Sequence, residues 1–339
     1  MFDDLGADHV TVIDVHSHFY PDVYVREIER ESAVATVTRE GGETRIHYAG
    51  DYSVIVPAHR DPALRLVDME RAGIDRQLLS LTGPGVHMES ERRGAEVATL
   101  VNDAFAQIVE AHPARFGAFA TLPAQAPEAA ARELERAVRE LGLCGAMIFS
   151  NFGGVPLDDR RFWPIYEAAD ALGAPLIIHP VAPASLANMT DMRLVALLGF
   201  PFEMTLCATR LILSGTLDRF PNLTLILSQL GGALPMLAER VDRGYAIYPE
   251  LTGTLQRKPS EYLRDFYYDT VPYGAVGIPL THQLAGADRI LIGSDYPHQI
   301  GDITTATAVI DAMDVPEAEK ALMRGGNAER LWGNANRTS

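Results

Sequence analysis

The chain has 339 residues and a formal net charge of −16, and 47% of its residues are hydrophobic. This length and composition predict a globular protein with one large domain or two ordinary ones, without need of a disulfide framework. Because a strongly acidic surface repels phosphate backbones, we expect no nucleic acid among its partners.

The two cysteines, Cys144 and Cys207, both lie in apolar runs. This placement favours small buried side chains over a disulfide or a ligand pair, and it predicts a protein of the reducing cytoplasm. The N-terminal residues show no basic and apolar leader, so we expect no signal peptide. The longest apolar stretch, residues 194–213, is interrupted by Pro201 and Glu203, so we also expect no membrane association.

Eight short apolar runs follow one another along the chain, at residues 10–16, 76–82, 116–122, 144–150, 174–180, 223–229, 266–271 and 289–295. Most are continuously apolar rather than alternating, which is typical of parallel strands buried on both faces. Segments with helical periodicity separate them, such as residues 127–142, which begin with a proline and end with a glycine. Eight strand–helix units predict an α/β protein, a TIM-like (β/α)8 barrel that forms a single domain over residues 1–339. An open doubly wound sheet, the alternative, needs fewer strands and usually a glycine-rich phosphate loop, and the chain has no GxGxxG or Walker motif.

Residues 32–58 interrupt this alternation directly after the first strand. They are rich in Val, Thr and Tyr, and Gly41-Gly42 separates two alternating runs, which predicts an inserted β-hairpin. On a barrel such an insertion would lie over the catalytic face, so we interpret it either as a lid or as an edge ornament without a role. Residues 314–334 predict a C-terminal helical cap.

Four polar residues stand at the carboxyl ends of the predicted strands. His16 and His18 are two residues apart in VIDVHSH, so a strand directs both side chains to the same face. His179 ends the fifth run and Asp295 ends the eighth. Each alone has an ordinary explanation, such as a hydrogen-bonded core histidine or a helix-capping aspartate. Together they lie on the face where such barrels carry out chemistry, and they predict a site for one divalent metal ion.

Six stretches carry a family resemblance, and in chain order they are DVHSH, RFGAFATLPAQAPEAAARELERAVRELG, FWPIYEAADALGAPLIIHP, RFPNLTLILSQLGGALPMLAERVDRGY, DFYYDT and RILIGSDYPH. They resemble the amidohydrolase superfamily, and most closely the branch with α-amino-β-carboxymuconate-ε-semialdehyde decarboxylase and the γ-resorcylate and 5-carboxyvanillate decarboxylases. The resemblance implies that His16, His18, His179 and Asp295 bind one metal ion per chain, Zn²⁺ or else Mn²⁺ or Co²⁺. It also implies a homodimer.

The resemblance breaks at Gln229, in SQLGG, where the family typically has a histidine that moves a proton. A carboxamide donates and accepts hydrogen bonds, but it does not titrate near neutral pH. Three interpretations stay open: an engineered substitution, a natural residue whose task passes to another group, or loss of the ancestral reaction. Under the second interpretation Asp295 is the first candidate for proton transfer, and His298, His59 and His87 follow.

Three further residues are candidates for substrate binding. The resemblance implies that Arg240 reaches a substrate carboxylate, which suits a bidentate guanidinium; otherwise it forms a surface ion pair. Phe19, directly after the HxH pair, either lines the slot of an aromatic substrate or packs in the core. His298, at the end of the SDYPH stretch, is the third candidate.

These residues support three functions. The first is a metal-dependent, non-oxidative decarboxylase, a carbon–carbon lyase that acts on a small aromatic or unsaturated carboxylic acid. The alternative is a metal-dependent hydrolase or hydratase of a lactone, an amide or a C–C substrate, which would use the same residues. The third is a barrel that binds a ligand without turnover, which Gln229 favours and the four metal ligands oppose.

Overall fold

Strands and helices alternate along most of the chain in the computed structural model, which describes residues 10–48, 51–181, 188–189, 191–271 and 274–332. The strands are β1 Ile13–His18, β2 Ala35–Glu40, β3 Glu43–Tyr48, β4 Asp51–Ile55, β5 Arg76–Ser80, β6 Phe116–Ala118, β7 Ala120–Thr121, β8 Ala146–Phe149, β9 Asn151–Phe152, β10 Val155–Pro156, β11 Leu176–His179, β12 Leu225–Leu227, β13 Phe266–Asp269 and β14 Ile290–Leu291. The helices are α1 Asp22–Glu31, α2 Pro62–Ala72, α3 Glu91–Ala111, α4 Pro127–Arg139, α5 Trp163–Leu172, α6 Phe200–Leu213, α7 Thr216–Arg219, α8 Leu234–Ile247, α9 Gly277–Ala285, α10 Ala308–Asp311, α11 Glu317–Ala321 and α12 Asn327–Trp332.

The parallel strands form two sheets that share one stretch of chain. One sheet has the order β1-β5-β6, and the other has the order β14-β13-β12-β11-β8-β7. Phe119 alone separates β6 from β7, and its N–H donates to Leu79 O at 2.8 Å, so the chain passes from one sheet directly into the other. At the opposite edge Val15 N–H donates to Ile292 O at 2.9 Å, although regular pairing does not continue between β1 and β14. The predicted α/β class is confirmed.

The parallel strands form within the apolar runs. In β11, Leu176, Ile177 and Ile178 are fully buried and pair in parallel with β8 on one side and β12 on the other. A strand buried on both faces gains apolar contacts in both directions, which explains the absence of polar alternation. The strands are shorter than the runs. Residues 289–295 are regular strand only over two residues, because the chain turns before Asp295, where φ is +54°.

Helix α2 shows how the sequence determines a boundary. The Asp61 carboxylate accepts hydrogen bonds from Ala63 N and Leu64 N, and so satisfies donors that the first turn leaves unpaired. Pro62 occupies the first turn, where its missing N–H costs nothing. The helix ends at Gly73, whose φ of +68° is the left-handed conformation that glycine adopts without a steric penalty.

Residues 35–55 form a three-stranded antiparallel sheet where the hairpin insertion is predicted. β2 pairs with β3 from Ala35–Tyr48 to Glu40–Glu43, and β3 pairs with β4. Gly41 and Gly42 form the turn between β2 and β3, and both have positive φ, 60° and 86°. Of the predicted span 32–58, residues 49 and 50 lie outside the described residues.

Two segments cover the outside of the sheets. One helical stretch of the described chain, Val195–Leu213, is long and apolar enough to cross a membrane by length and composition, and 44% of its most apolar window is buried in the fold. Helices α11 and α12 lie in the segment predicted as a C-terminal cap, of which residues 333 and 334 are outside the described part. Trp332 Nε1 donates to Cys144 O at 2.7 Å, so α12 is held at the amino end of β8.

Candidate metal centre

Four side chains meet at the carboxyl ends of three strands. His16 and His18 lie in β1, His179 is the last residue of β11, and Asp295 follows β14 by four residues. One donor atom from each lies within 4.8 Å of the others, and all four residues are buried. The fold therefore brings the four predicted metal ligands into one cluster.

Hydrogen bonds behind the cluster determine where two of the histidines carry their protons. His179 Nδ1 lies 2.8 Å from Pro180 O, which can only accept, so the Nδ1 of this ring is the donor. His18 Nδ1 lies 3.1 Å from Ser80 Oγ, and that hydroxyl already donates to Ser17 O at 2.8 Å. Ser80 Oγ must therefore accept from His18. In both neutral rings Nε2 is left with a free lone pair that faces the cluster.

The third histidine is paired with a buried carboxylate. His16 Nδ1 bonds Asp269 Oδ2, the last residue of β13, and both side chains are fully buried. Burial alone would lower the pKa of His16, but the charge of Asp269 and its hydrogen bond outweigh burial and raise that pKa to about 9. A more basic ring is a stronger metal ligand, and a carboxylate behind a ligating histidine fixes its orientation and tautomer.

The distances inside the cluster fit a bound cation. His16 Nε2 lies 3.1 Å from His18 Nε2, and Asp295 Oδ1 lies 2.9 Å from His18 Nε2 and 3.5 Å from His16 Nε2. Bonds of 2.0–2.1 Å in tetrahedral geometry place ligand atoms about 3.3 Å apart. A bound cation would take the place of the proton that His16, with its raised pKa, otherwise holds among these atoms. The donor set, three imidazoles and one carboxylate, suits Zn²⁺, Mn²⁺ or Co²⁺.

Burial keeps two of the rings neutral, as metal binding requires. Burial lowers the pKa of His18 well below its ordinary value, and the neighbouring His298 and His16 lower it further. Burial has the same effect on the pKa of His179, with His18 and His16 as the next causes. Both rings are therefore unprotonated near neutral pH and available as ligands.

Replacing Asp269 by Asn should weaken metal binding by about 10- to 100-fold, because the His16 ring loses the carboxylate that orients it and raises its basicity. The dissociation constant for Mn²⁺, measured by titration of metal-free protein, tests this. Asp265→Asn is the matched control, since Asp265 directly precedes β13 and pairs with Arg257 at the surface. Equal affinities in Asp269→Asn and the unchanged protein would contradict the assigned role.

Gln229 lies at the carboxyl end of β12, in a turn of unusual backbone geometry. It follows β12, between the strand that carries His179 and the strand that carries Asp269. Gln229 and Leu230 both have φ of +54°, as does Asp295, and left-handed non-glycine residues concentrate at functional sites. Gln229 Oε1 is buried and has no hydrogen-bond partner among the described residues. An acceptor in this state is ready to bind a donor from water or substrate.

Two further histidines extend the site away from His18. The ring of His298 lies 4.7 Å from the ring of His18, and its Nε2 lies 3.3 Å from Thr82 Oγ1. The ring of His59 is 5.1 Å from His298 and fully buried. Burial lowers the pKa of His298, so this ring is also predominantly neutral near pH 7.

An aromatic wall lies on another side of the cluster. The ring of His87 is 4.5 Å from Phe149 and 5.6 Å from Phe152, and Phe149 is 6.2 Å from His179. Burial lowers the pKa of His87 to about 4, so it behaves as a neutral aromatic ring. Planar surfaces of this kind favour a planar ligand by stacking.

The remaining two predicted substrate residues lie outside this cluster. Phe19 is buried, with its ring 6.5 Å from Phe105 and beneath the guanidinium of Arg65, in the packing expected of a core residue. Arg240 is exposed on α8.

Sequence reasoning missed two buried charges that support the site. Asp269 ends the FYYDT run, and a carboxylate at the end of a buried strand is a signal, since it is costly to bury without a partner. Arg65 is fully buried and donates to His18 O and to Gln77 Oε1, the latter at 2.6 Å. Its spacing of four from buried Met69 places it on the inner face of α2, which is the available signal.

An α/β fold with three histidines and one aspartate at its carboxyl strand ends is typical of enzymes with a mononuclear metal centre. The chain belongs to the amidohydrolase family, whose model matches residues 13–333. The 2-amino-3-carboxymuconate-6-semialdehyde decarboxylase of Dictyostelium discoideum is 31% identical over 276 residues, which are 80% of this chain and 77% of that protein. The γ-resorcylate decarboxylase of a Polaromonas species is 36% identical over 288 residues, 80% of this chain and 87% of that protein.

A solved structure is similar over nearly the whole chain. The 5-carboxyvanillate decarboxylase of Novosphingobium aromaticivorans, complexed with manganese and 4-hydroxy-3-methoxy-5-nitrobenzoic acid, has a TM-score of 0.82 at 28% identity. The match covers 97% of each chain. The resemblance drawn from the sequence motifs is thereby confirmed.

Proposed function

We propose that this protein is a metal-dependent, non-oxidative decarboxylase of a small aromatic or unsaturated carboxylic acid. The observation that carries the proposal is the buried cluster of His16, His18, His179 and Asp295, in which one ligand atom of each residue lies within 4.8 Å of the others. Kinship with γ-resorcylate and 5-carboxyvanillate decarboxylases supports the reaction type.

The cluster would hold one divalent ion per chain, with Zn²⁺ as the first candidate and Mn²⁺ or Co²⁺ as alternatives. Manganese in the structure of one relative supports a divalent ion of this kind. When bound, the ion would polarise a carboxylate or hydroxyl oxygen of the substrate. Every other step falls to side chains of the protein.

In the proposed reaction the bond between the substrate carbon and its carboxylate breaks, CO₂ leaves, and a proton replaces it on that carbon. Asp295 is the proposed proton carrier: its carboxyl group gives the proton to the carbon and regains one from solvent. His298 binds a substrate oxygen, and Arg240 holds an anionic group. The side chains of Phe149 and Phe152 stack on the substrate ring. Because both side chains are buried, they also exclude water from the site.

Gln229 is proposed to orient a water molecule or a substrate oxygen by hydrogen bonds, without moving a proton. Gln229→Leu should therefore lower kcat/KM by roughly 10- to 100-fold, the value of a hydrogen bond to a charged group. Steady-state kinetics at saturating metal test this, with Gln107→Leu, an exposed glutamine of α3, as the control. An unchanged kcat/KM in Gln229→Leu would show that Gln229 does not orient a water molecule or a substrate oxygen.

The reaction class is tested by the products. Metal-loaded protein is incubated with 2,6-dihydroxybenzoate and related aromatic acids, and the CO₂ released is compared with the loss of acid. We expect one CO₂ per acid consumed and a product lighter by CO₂. A product that gains the mass of water would instead establish the hydrolase or hydratase alternative, and binding without conversion would establish a ligand-binding protein.

The two parallel sheets are proposed to constitute one TIM-like (β/α)8 barrel and a single domain. The Val15–Ile292 hydrogen bond and the shared segment 116–121 support closure. The antiparallel sheet is proposed to act as a lid, because Arg193, in the segment after β11, donates to Tyr52 Oη at 2.8 Å and lies over its ring.

A second copy of the chain is the proposed partner of an exposed apolar face on α6 and α8, two helices that pack against each other. The exposed apolar residues are Leu197 and Leu198, in the helical turn Val195–Gly199 that leads into α6, Phe202 and Leu206 on α6, and Met236 and Leu237 on α8. Exposed apolar patches of this kind mark interfaces. Two chains of net charge −16 repel over most of their surfaces, so an uncharged face is where two copies can meet. Arg240, on α8, would then lie at the interface and reach the substrate of the neighbouring subunit.

Leu206→Glu should dissociate the homodimer, raising its dissociation constant by about tenfold or more, because a charge would be buried at the interface. Sedimentation velocity at several protein concentrations measures this. Leu64→Glu is the matched control, an exposed leucine on α2. A monomeric unchanged protein would contradict the homodimer outright.

A cytoplasmic location is also proposed, and it is supported by Cys144 and Cys207, which are free thiols.

A further inference from the structure

His59 lies next to the candidate site, at the end of the segment inserted between α1 and α2. It ends a short 3-10 helix, Pro57–His59, through which the chain returns from the antiparallel sheet to α2. Its carbonyl oxygen accepts from Tyr20 N–H at 2.7 Å, two residues after His18. The ring of His298 stands between His59 and His18, with centroid distances of 5.1 Å and 4.7 Å. His59 is therefore the second ring outward from His18.

The backbone determines the tautomer of His59. Val56 N–H donates to its Nδ1 at 3.1 Å, so Nδ1 carries a lone pair and the proton of the neutral ring is on Nε2. Burial, and next the charges of His298 and Arg65, lower the pKa of this ring to about 2. Near neutral pH His59 is therefore an uncharged donor with one defined N–H.

This N–H has no hydrogen-bond partner among the described residues. A buried donor without a partner destabilises a fold, and native structures rarely keep one without a reason. The adjacent His298 offers an acceptor, but the two rings, inclined at 56° to each other, do not form this bond in the structure, so one of them must turn to make it. Two imidazoles joined by an N–H···N bond of about 3 Å have centroids about 5 Å apart, close to the observed separation. His298 is weakly held where it stands, because its 3.3 Å contact with Thr82 Oγ1 is long.

We propose that His59 is a positioning residue whose Nε2–H donates to a ring nitrogen of His298. That bond fixes the proton of His298 on its opposite nitrogen. The resulting N–H of His298 donates to an oxygen of the bound acid, or to Thr82 Oγ1 when no acid is bound. This inference rests on the proposed function in one respect, namely that the site binds an oxygen-bearing acid.

The tautomer of His298 is a readout that turnover does not affect. Metal-loaded protein labelled with ¹⁵N-histidine is examined by NMR, and His298→Gln assigns the signals. We expect one neutral tautomer of His298 in the unchanged protein and a mixture of two in His59→Phe, which removes the donor. His59→Gln should restore the single tautomer, since its amide nitrogen reaches the place of Nε2.

Two comparisons make the experiment selective. His112→Phe is the matched control, because His112 is a half-buried histidine at the end of α3 whose ring packs edge-on against Phe116, outside the site. It should leave the His298 signals unchanged. If His59→Phe does not fold, His59→Asn takes its place. The Asn amide reaches only the position of Nδ1, so this variant also lacks the donor at the position of Nε2.

Kinetics supply the second readout. His59→Phe should raise the KM for 2,6-dihydroxybenzoate about tenfold with kcat changed less than threefold, and His59→Gln should restore it. Unchanged His298 signals in the donor-free variant would overturn the role of His59, whatever the kinetics. Failure of the proposed function appears differently, as absence of turnover in the unchanged protein while the NMR comparison still decides the role of His59.

Discussion

Replacing His179 by alanine should abolish turnover, with a loss of about 10³-fold or more. His179 supplies one of the three histidine nitrogens of the cluster, and its ring is oriented by the bond from Nδ1 to Pro180 O. Without it, two histidines and one carboxylate remain, and the ion is bound weakly or in the wrong geometry. Loss of the ion removes several kcal/mol of transition-state stabilisation, which corresponds to this factor.

The measurement is the rate of CO₂ release together with the metal content after dialysis. His282→Ala is the matched control, since His282 lies on α9 and pairs with Glu319 of α11, outside the cluster. It should retain both metal and activity. A His179→Ala protein that keeps near-normal activity at trace metal concentration would show that the cluster is not the catalytic centre.

Replacing Asp295 by Asn should lower kcat by about 10²- to 10⁴-fold, the usual contribution of general acid–base catalysis. The two side chains have the same shape, and the amide oxygen can still serve as a ligand in place of Asp295 Oδ1, which lies 2.9 Å from His18 Nε2. The amide cannot take up and release a proton, however. The proposed step from the carboxyl group to the substrate carbon is therefore lost, while binding of the acid is retained.

This separates Asp295 from His179 experimentally. Asp295→Asn should keep a measurable Kd for 2,6-dihydroxybenzoate in calorimetry and lose kcat, whereas His179→Ala should lose both metal and turnover. If Asp295→Asn retained its kcat, the proton carrier would have to be another group, and His298 is the adjacent candidate. Asp288→Asn, at a half-buried position two residues before β14, controls for removal of a charge.

The residues of the candidate site could be read from the sequence because each follows an apolar run. Parallel strands bring their carboxyl ends to one edge of the sheet. The positions of four residues at the ends of such strands therefore predicted that they meet: His16, His18, His179 and Asp295. What surrounds them could not be read in this way. The partners that fix the histidine tautomers, Ser80 and Asp269, come from other strands, and only the sheet order makes them neighbours.

The boundaries of the strands also could not be predicted from the sequence. The run at residues 289–295 is apolar enough for seven strand residues, but only Ile290–Leu291 pair regularly. The chain leaves the ladder there because Asp295 N–H bonds His16 O at 2.9 Å in a left-handed turn. Likewise, His59 lies beside His298 because of the path that the chain takes from the inserted antiparallel sheet to α2. No local sequence pattern predicts that path.

The metal content of purified protein that has met no chelator is the first measurement to make. Elemental analysis should find about one Zn²⁺, Mn²⁺ or Co²⁺ per chain, and His16→Ala should have lost it. That result would establish the centre and leave Gln229 as a change in hydrogen bonding within a working metalloenzyme. No metal in the protein, and none taken up on reconstitution, would contradict the decarboxylase and the hydrolase together.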